Sequence, residues 1–349
     1  MSDDASDALI DVPALERFLA ERVPRGAGAP LTCERHVVGS SNVTYYVNRG
    51  ADAWVLRRPP PGPLLPTAHD VLREHRFLAA LQGRARVPAP VIACEDAAVI
   101  GAPFYLMERK YGEVLREAIP AAYDTAEGRG RIAEELVRAL VELHAVDWEA
   151  AGLKGRASGY LERQLRRWIG QWELTRPKTR DLPGLDETVA WLQARLPQDS
   201  GATVVHGDYR LENVMFAADE PRVVAIFDWE MATIGDPLAE LGWLLSYWGD
   251  PRDPPVPPGW DEPALVSARD GFPDHAELIA MYEALSGRSM RNVAFYHVFA
   301  VFKLAVILEG LYMQHLQETG ANPDSARFAW FVPVLVGRAQ RLMAEAAGA

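Results

Sequence analysis

Two cysteines, Cys33 and Cys94, are all that this chain of 349 residues contains. They are too few for a disulfide framework and lack the CxxC spacing of a zinc or redox site, so a reducing compartment is expected. Basic residues are also in short supply. Lys and Arg total 36 against 48 Asp and Glu, a formal net charge of −12, which argues against a nucleic-acid partner. The opening MSDDASDALIDVPALERF has neither the basic n-region nor the apolar h-region of a secretory signal, and cytoplasmic localisation is the expectation. No internal repeat occurs. The longest apolar stretch, Val293 to Met313, is interrupted by His297, Lys303 and Glu309, which reads as a buried core helix rather than a bilayer span. No membrane partner is expected.

What is present is an ordinary globular composition, 49% hydrophobic and 24% charged, in a chain long enough for about two lobes. Leu15, Phe18 and Leu19 give a short amphipathic helix over 11–22 that begins near Pro13. Residues 31–58 are rich in β-branched and aromatic side chains, with GSSN and NRGAD as turns, and read as three strands. After PPPGPLLP, Thr67 and Asp70 resemble a capping box opening a helix whose apolar face holds Val71, Leu78 and Leu81. Glu74 falls on that same face, as either a carboxylate directed at the core or a cleft or a partly exposed residue at the edge of the face. A strand pair at Val91–Cys94 and Phe104–Glu108 follows, then a helix through Ile132, Leu136, Leu140 and Leu143. The remainder is mostly helical, apart from a β-like island at 203–228. The pattern predicts an α+β protein with a small β-rich front lobe and a large helical back lobe, joined near 107–112. Two local departures stand out: a proline-rich loop at 250–263, and a basic segment at 156–180 with seven Arg or Lys against two Glu.

Chemistry concentrates in VVHGDYRLENVMF and VVAIFDWEMATIGDP. In both, an apolar β-like run delivers polar residues at its end. Asp208, Asn213 and Asp228 are hard oxygen donors on neighbouring short strands, a set that suits Mg²⁺ together with a bound phosphate. His206 has no HxxxH partner and reads as a structural residue whose ring holds the loop.

HGDYRLEN resembles the HxDxxxxN catalytic loop of the protein-kinase-like superfamily, and FDWE resembles its metal-binding aspartate motif. With GDPLAELGWLL following, the chain looks like the aminoglycoside phosphotransferase and choline kinase branch. The resemblance covers nearly the whole chain and implies a protein-kinase-like two-lobe fold. Residues 1–107 would form the nucleotide-binding lobe, and 108–349 would carry the catalytic loop, metal site and acceptor site. It implies ATP and Mg²⁺ as cofactors, Asp208 as the base on the acceptor hydroxyl, Arg210 as a cation near the transferred phosphoryl group, and Asn213 and Asp228 as metal ligands. Ser40, Ser41 and Asn42 would cover the phosphates in place of the absent GxGxxG, and Arg57 in WVLRRPP would take the place of the ATP-binding lysine, paired with Glu74. Met107, Glu108 and Arg109 would meet the adenine edge. Asp236 and Glu240 would brace the metal loop.

RRPPPGPLLPTAHDVLREHRFL looks most like the kinase-like domain that precedes acyl-CoA dehydrogenase domains in some longer proteins. That points from an aminoglycoside toward a hydroxylated metabolite, a hydroxyacyl thioester among them, as the small-molecule hydroxyl acceptor. The other class weighed is a nucleotide-binding regulatory module without phosphotransfer. A protein kinase is disfavoured, because GDPLAELGWLL leads straight into an apolar helix with no APE-like segment.

Overall fold

The computed structural model describes residues 9–24, 26, 28–36, 42–62, 69–255, 265–317 and 323–348. The chain opens with α1 (Val12–Arg22), capped by Asp11, whose carboxylate accepts the Ala14 N–H at 2.9 Å. Then come β1 (Leu31–His36), β2 (Val43–Arg49), β3 (Asp52–Arg58), α2 (Val71–Leu81), β4 (Pro90–Cys94) and β5 (Phe104–Glu108). The five strands form one antiparallel sheet in the order β1-β2-β3-β5-β4.

Period-two alternation decides what each face of this sheet carries. Trp54, Leu56, Phe104 and Leu106 pack outward against Leu15 and Leu19 of α1. Val55, Tyr105 and Met107 face inward. Arg57 shares that inner face and lies directly opposite Tyr105 in the register, so a guanidinium is driven toward α2. There the sequence expectation needs one correction. The Ncap of α2 is Asp70, accepting the Arg73 N–H at 2.9 Å, and the helix starts at Val71; Thr67 lies outside the described residues. An aspartate at the Ncap satisfies the exposed N–H by itself, without a second member. Val71, Phe77, Leu78 and Leu81 are buried, and Glu74 is buried with them at 1% exposure.

The larger lobe contains β6 (Glu113–Val114), α3 (Ala126–His144), α4 (Tyr160–Thr175), α5 (Pro183–Ala194), β7 (Thr203–Val205), β8 (Val214–Phe216), β9 (Val223–Ile226), β10 (Thr233–Gly235), α6 (Pro237–Ser246), α7 (His275–Ser286), α8 (Val293–Leu316) and α9 (Phe328–Gly348). A small sheet β6-β8-β9 and the pair β7-β10 support the polar loops between them. The β-like island therefore runs on to Gly235, past the expected end at 228, because Ile234 is buried opposite Val204. Helix α8 packs against α4, α5, α6 and α9. It is long and apolar enough to cross a membrane by length and composition, but most of it is buried in the protein. The result is a two-lobe, kinase-like α+β fold.

Two of the polar residues on α8 are buried outright. Glu309 pairs with Arg180 at 2.9 Å, and His297 stands edge-on to His275 of α7 with ring centroids 4.9 Å apart. Burial, and then mutual proximity and Arg338, hold His297 well below its usual pKa, and burial likewise lowers His275. A histidine kept neutral in the fold, but free to protonate at about 6.5 when unfolded, contributes stability above that pH that is lost on acidification. The melting temperature should accordingly fall between pH 7.5 and pH 5, and fall less steeply in His297→Phe. Equal slopes in thermal melts of the two proteins would rule this source out.

Candidate active site

The loop that leaves β7 is held from behind by one buried carboxylate. Glu240, on α6, accepts the N–H groups of His206 (2.9 Å) and Gly207 (2.6 Å), and lies 3.1 Å from His144 Nε2. Burial acts to raise its pKa, but the His144 contact, the proximity of His206 and the backbone N–H outweigh it, and the carboxyl stays low and ionised. Gly207 has φ +90°, and a Cβ there would sit 2.7 Å from the Met231 carbonyl oxygen, so no other residue fits without a shift. His206 acts structurally, as its sequence context suggested. Its Nε2 donates to the Phe227 carbonyl at 2.6 Å, which leaves Nδ1 to accept the Asp208 N–H at 3.3 Å. Asp236 caps α6 and also takes the Ser200 N–H and the Tyr296 hydroxyl, at 2.6 and 2.9 Å.

Asp208 projects from this braced loop with both carboxylate oxygens engaged. Oδ1 accepts the Trp243 indole N–H at 2.9 Å and Oδ2 accepts Asn213 Nδ2 at 2.8 Å, with Arg210 Nε 3.4 Å away. Arg210 also pairs with Glu212 at 2.6 Å and lies 4.6 Å over the Tyr247 ring. Burial lowers its pKa, but Asp208, Tyr247 and Glu212 more than compensate, so the guanidinium remains charged. β8 and β9 pair with Val214 opposite Ile226, which brings Asn213 beside Phe227; the Phe227 N–H donates to the Asn213 carbonyl at 2.9 Å. Asp228 follows in the left-handed region at φ 67°, a conformation that costs a non-glycine residue about 1–2 kcal/mol.

From the other lobe, Arg57 reaches across to Asp228 Oδ1 at 2.9 Å. The same guanidinium lies 3.4 Å from Glu74, which in turn accepts the Tyr105 hydroxyl at 2.9 Å and Asn42 Nδ2. Burial opposes the charge on Arg57, but Glu74, Tyr105 and Asp228 overcome it and its pKa rises. Burial pushes the Glu74 carboxyl up, while Arg57 and the Tyr105 hydroxyl pull it down. The structure thus gathers Asn42, Arg57 and Glu74 with Asp228, and places Asp208, Arg210 and Asn213 in the adjoining loop. Ser40 and Ser41 lie outside the described residues.

Met107, Glu108 and Arg109 sit apart, at the end of β5. The Glu108 N–H is donated to the Ala89 carbonyl at 2.8 Å and the Arg109 N–H to that of Ala53 at 3.3 Å. Any contact of these two residues with a purine edge therefore runs through a carbonyl or a side chain. The Arg109 guanidinium is 3.7 Å from the Tyr46 ring centroid.

Among the described residues no cluster of three or more His, Cys, Asp or Glu side chains is arranged to hold a metal alone. Asn213 Oδ1 and Asp228 Oδ2 accept no hydrogen bond from the described residues. Two free hard oxygens at the ends of paired strands fit Mg²⁺, which takes one or two protein ligands and draws the rest from water and phosphate.

Three participants were not singled out from the sequence: Tyr105, His144 and Trp243. Trp243 had a readable signal, since it falls three residues after Glu240 on α6 and four before Tyr247 at the helix end, a spacing that brings side chains to one side. The others meet the site only through tertiary packing.

This architecture matches known proteins across nearly its whole length. Residues 32–278 match the model of the Phosphotransferase enzyme family, and the chain belongs to that family. Acyl-CoA dehydrogenase family member 11 of Homo sapiens is 34% identical over 335 residues, 93% of this chain and 42% of that protein. Acyl-CoA dehydrogenase family member 10 of Mus musculus is 32% identical over 332 residues, 91% of this chain and 30% of that protein. The chain therefore spans less than half the length of these relatives. Among solved structures, a candidate aminoglycoside phosphotransferase from Ralstonia eutropha JMP134 superposes with a TM-score of 0.82 at 31% identity, covering 96% of this chain and 99% of that one. A macrolide 2′-phosphotransferase from Brachybacterium faecium shares the fold, with a TM-score of 0.58 at 20% identity over 93% and 97% of the two chains.

Because Glu240 is buried and satisfies two backbone donors and a histidine, Glu240→Ala should destabilise the protein by about 3–5 kcal/mol. Urea unfolding followed by tryptophan fluorescence measures this, and a loss below about 1 kcal/mol, the range of an exposed ion pair, would show that the loop is braced elsewhere.

Proposed function

We propose that this protein transfers the γ-phosphate of ATP, as its Mg²⁺ complex, to the hydroxyl of a small-molecule acceptor. The observation that carries the reading is the meeting of Arg57 and Asp228 across the cleft, beside the Asp208–Asn213 loop. Asp208, held at both oxygens, orients the acceptor hydroxyl and takes its proton as the oxygen attacks in line. Asn213 Oδ1 and Asp228 Oδ2 are the oxygens that would hold Mg²⁺, which when bound neutralises charge on the phosphates. Arg57, fixed by Glu74, grips phosphate oxygens, and Arg210 offsets charge on the transferred group. Asn42, with Ser40 and Ser41, covers the phosphates, and the segment Met107–Arg109 borders the base.

For the acceptor, we favour a hydroxylated metabolite, a hydroxyacyl thioester among them. The curated relatives are named for acyl-CoA dehydrogenase chemistry, which supports an acyl compound.

The test is γ-phosphate transfer from Mg-ATP to separate pools of aminoglycosides, amino alcohols and hydroxyacyl-CoAs. Transfer confined to the hydroxyacyl-CoA pool is expected. Asp208→Asn should reduce it by about 10²–10⁴-fold while nucleotide binding persists. Asp228→Ala should abolish Mg²⁺-dependent nucleotide binding in calorimetry. Full transfer by Asp208→Asn would remove the base from the mechanism, and wild-type protein that fails to bind Mg-ATP would overturn the reading altogether.

A further inference from the structure

Lys303 lies near the middle of α8, on a helix otherwise apolar over most of its length. Its ammonium makes no hydrogen bond or ion pair with the described residues. It sits instead 3.7 Å from the centroid of the Trp243 ring and 5.7 Å from that of Trp168. A cation over an indole face is held by the ring quadrupole, and it draws electron density from the ring toward itself. The edge of the same indole carries the N–H that donates to Asp208 Oδ1 at 2.9 Å. Tyr247 packs edge-on against the Trp243 ring at 5.2 Å, so the ring is confined from a further direction. An ammonium, an indole and a carboxylate thus stand in series, running from the core of the helical lobe to the reacting end of Asp208.

We propose that Lys303 and Trp243 are positioning residues for Asp208: the ammonium fixes and polarises the indole, and the indole N–H fixes Oδ1, so that Oδ2, which also accepts from Asn213, is held in one direction for proton transfer. The inference rests on the phosphotransfer reading given above. Its physical logic is that a carboxylate on a loop gains a defined direction only if the donors that hold it are themselves immobile, and a misplacement of about 1 Å at such a group costs on the order of 10²-fold in rate. Neither residue needs to touch the acceptor.

The charge on Lys303 is open to titration in a useful range. Burial pushes its ammonium down to about 8; Asp208 and Glu240 work to raise it, and Arg167 on α4 lowers it further. Activity that depends on this charge is present below that pH and is lost as pH rises through it. Arginine at the same position keeps its charge throughout.

The test compares wild type, Lys303→Met, Lys303→Arg and Trp243→Phe, using transfer to the acceptor pool that turns over and also Mg-ATP hydrolysis by water, which needs no acceptor. Lys303→Met and Trp243→Phe should lower kcat by about 10- to 100-fold with KM for Mg-ATP held within about twofold, the split expected of an interaction that acts on the chemical step. Lys303→Arg should retain most of the rate and abolish the alkaline decline seen in the wild type near pH 8. Independently of turnover, the Trp243 indole ¹H–¹⁵N resonance, assigned by its absence in Trp243→Phe, should titrate in the wild type near pH 8 and not in Lys303→Met. Coincident kcat–pH profiles for wild type, Lys303→Met and Lys303→Arg would overturn the proposal, as would an indole signal indifferent to Lys303. If the wild type neither transfers phosphate nor hydrolyses Mg-ATP, the phosphotransfer reading fails instead; the indole titration still decides whether Lys303 acts on Trp243.

Discussion

A guanidinium taken out of water must find compensating charge, and the position of Arg57 makes that requirement the organising constraint of the cleft. Strand alternation turns Arg57 inward, where it is 12% exposed, and two carboxylates from opposite directions answer it. Glu74 comes from α2 in the same lobe and Asp228 from the end of β9 in the other. Meeting both at once holds the lobes together at this point and directs one oxygen of Asp228, while the other takes no hydrogen bond from the described residues. Tyr105 and Asn42, by donating to Glu74, determine which way that carboxylate faces. Removing Glu74 would therefore release both Arg57 and Asn42 from their shared anchor.

Behind the cleft, a second set of buried charges serves geometry rather than chemistry. Glu240 holds the backbone of His206 and Gly207, and His206 ties the two polar loops together through Phe227. Asp236 does the same for the start of α6. Each is fully satisfied, which is why groups so costly to bury can be kept. Glu240 and Asp236, bonded on every side within the fold, are structural, while Asn213 Oδ1 and Asp228 Oδ2 accept no hydrogen bond from the described residues.

How much of this was legible in the sequence depended on range. The strands of the small lobe, a helix after PPPGPLLP and the place of Glu74 on its apolar face follow from local periodicity, and all are present; that Glu74 is fully buried there needed the fold. Cap chemistry was read one residue set too early, because Thr67 and Asp70 both suit an Ncap and only the folded chain selects Asp70. The strand Thr233–Gly235 was missed because three residues carry no period, and it forms only by pairing back to β7. Asp208, Arg210, Asn213 and Asp228 stood out because polar residues end apolar runs there. Lys303 was visible only as a break in an apolar helix; that it lies over Trp243 is a contact 60 residues long in the chain, beyond any local pattern. His144 and Tyr105 are likewise ordinary members of a helix and a strand until the opposing element arrives.

The account stands or falls on whether the Arg57–Asp228 junction is a Mg-nucleotide site. A crystal structure grown with Mg²⁺ and a non-hydrolysable ATP analogue examines that directly. The account predicts the triphosphate lying between Arg57 and the Asn213–Asp228 pair, the metal on Asn213 Oδ1 and Asp228, and the Asp208 carboxylate still bonded to Trp243. Nucleotide bound away from this junction, with the Arg57–Asp228 contact of 2.9 Å undisturbed, would contradict it.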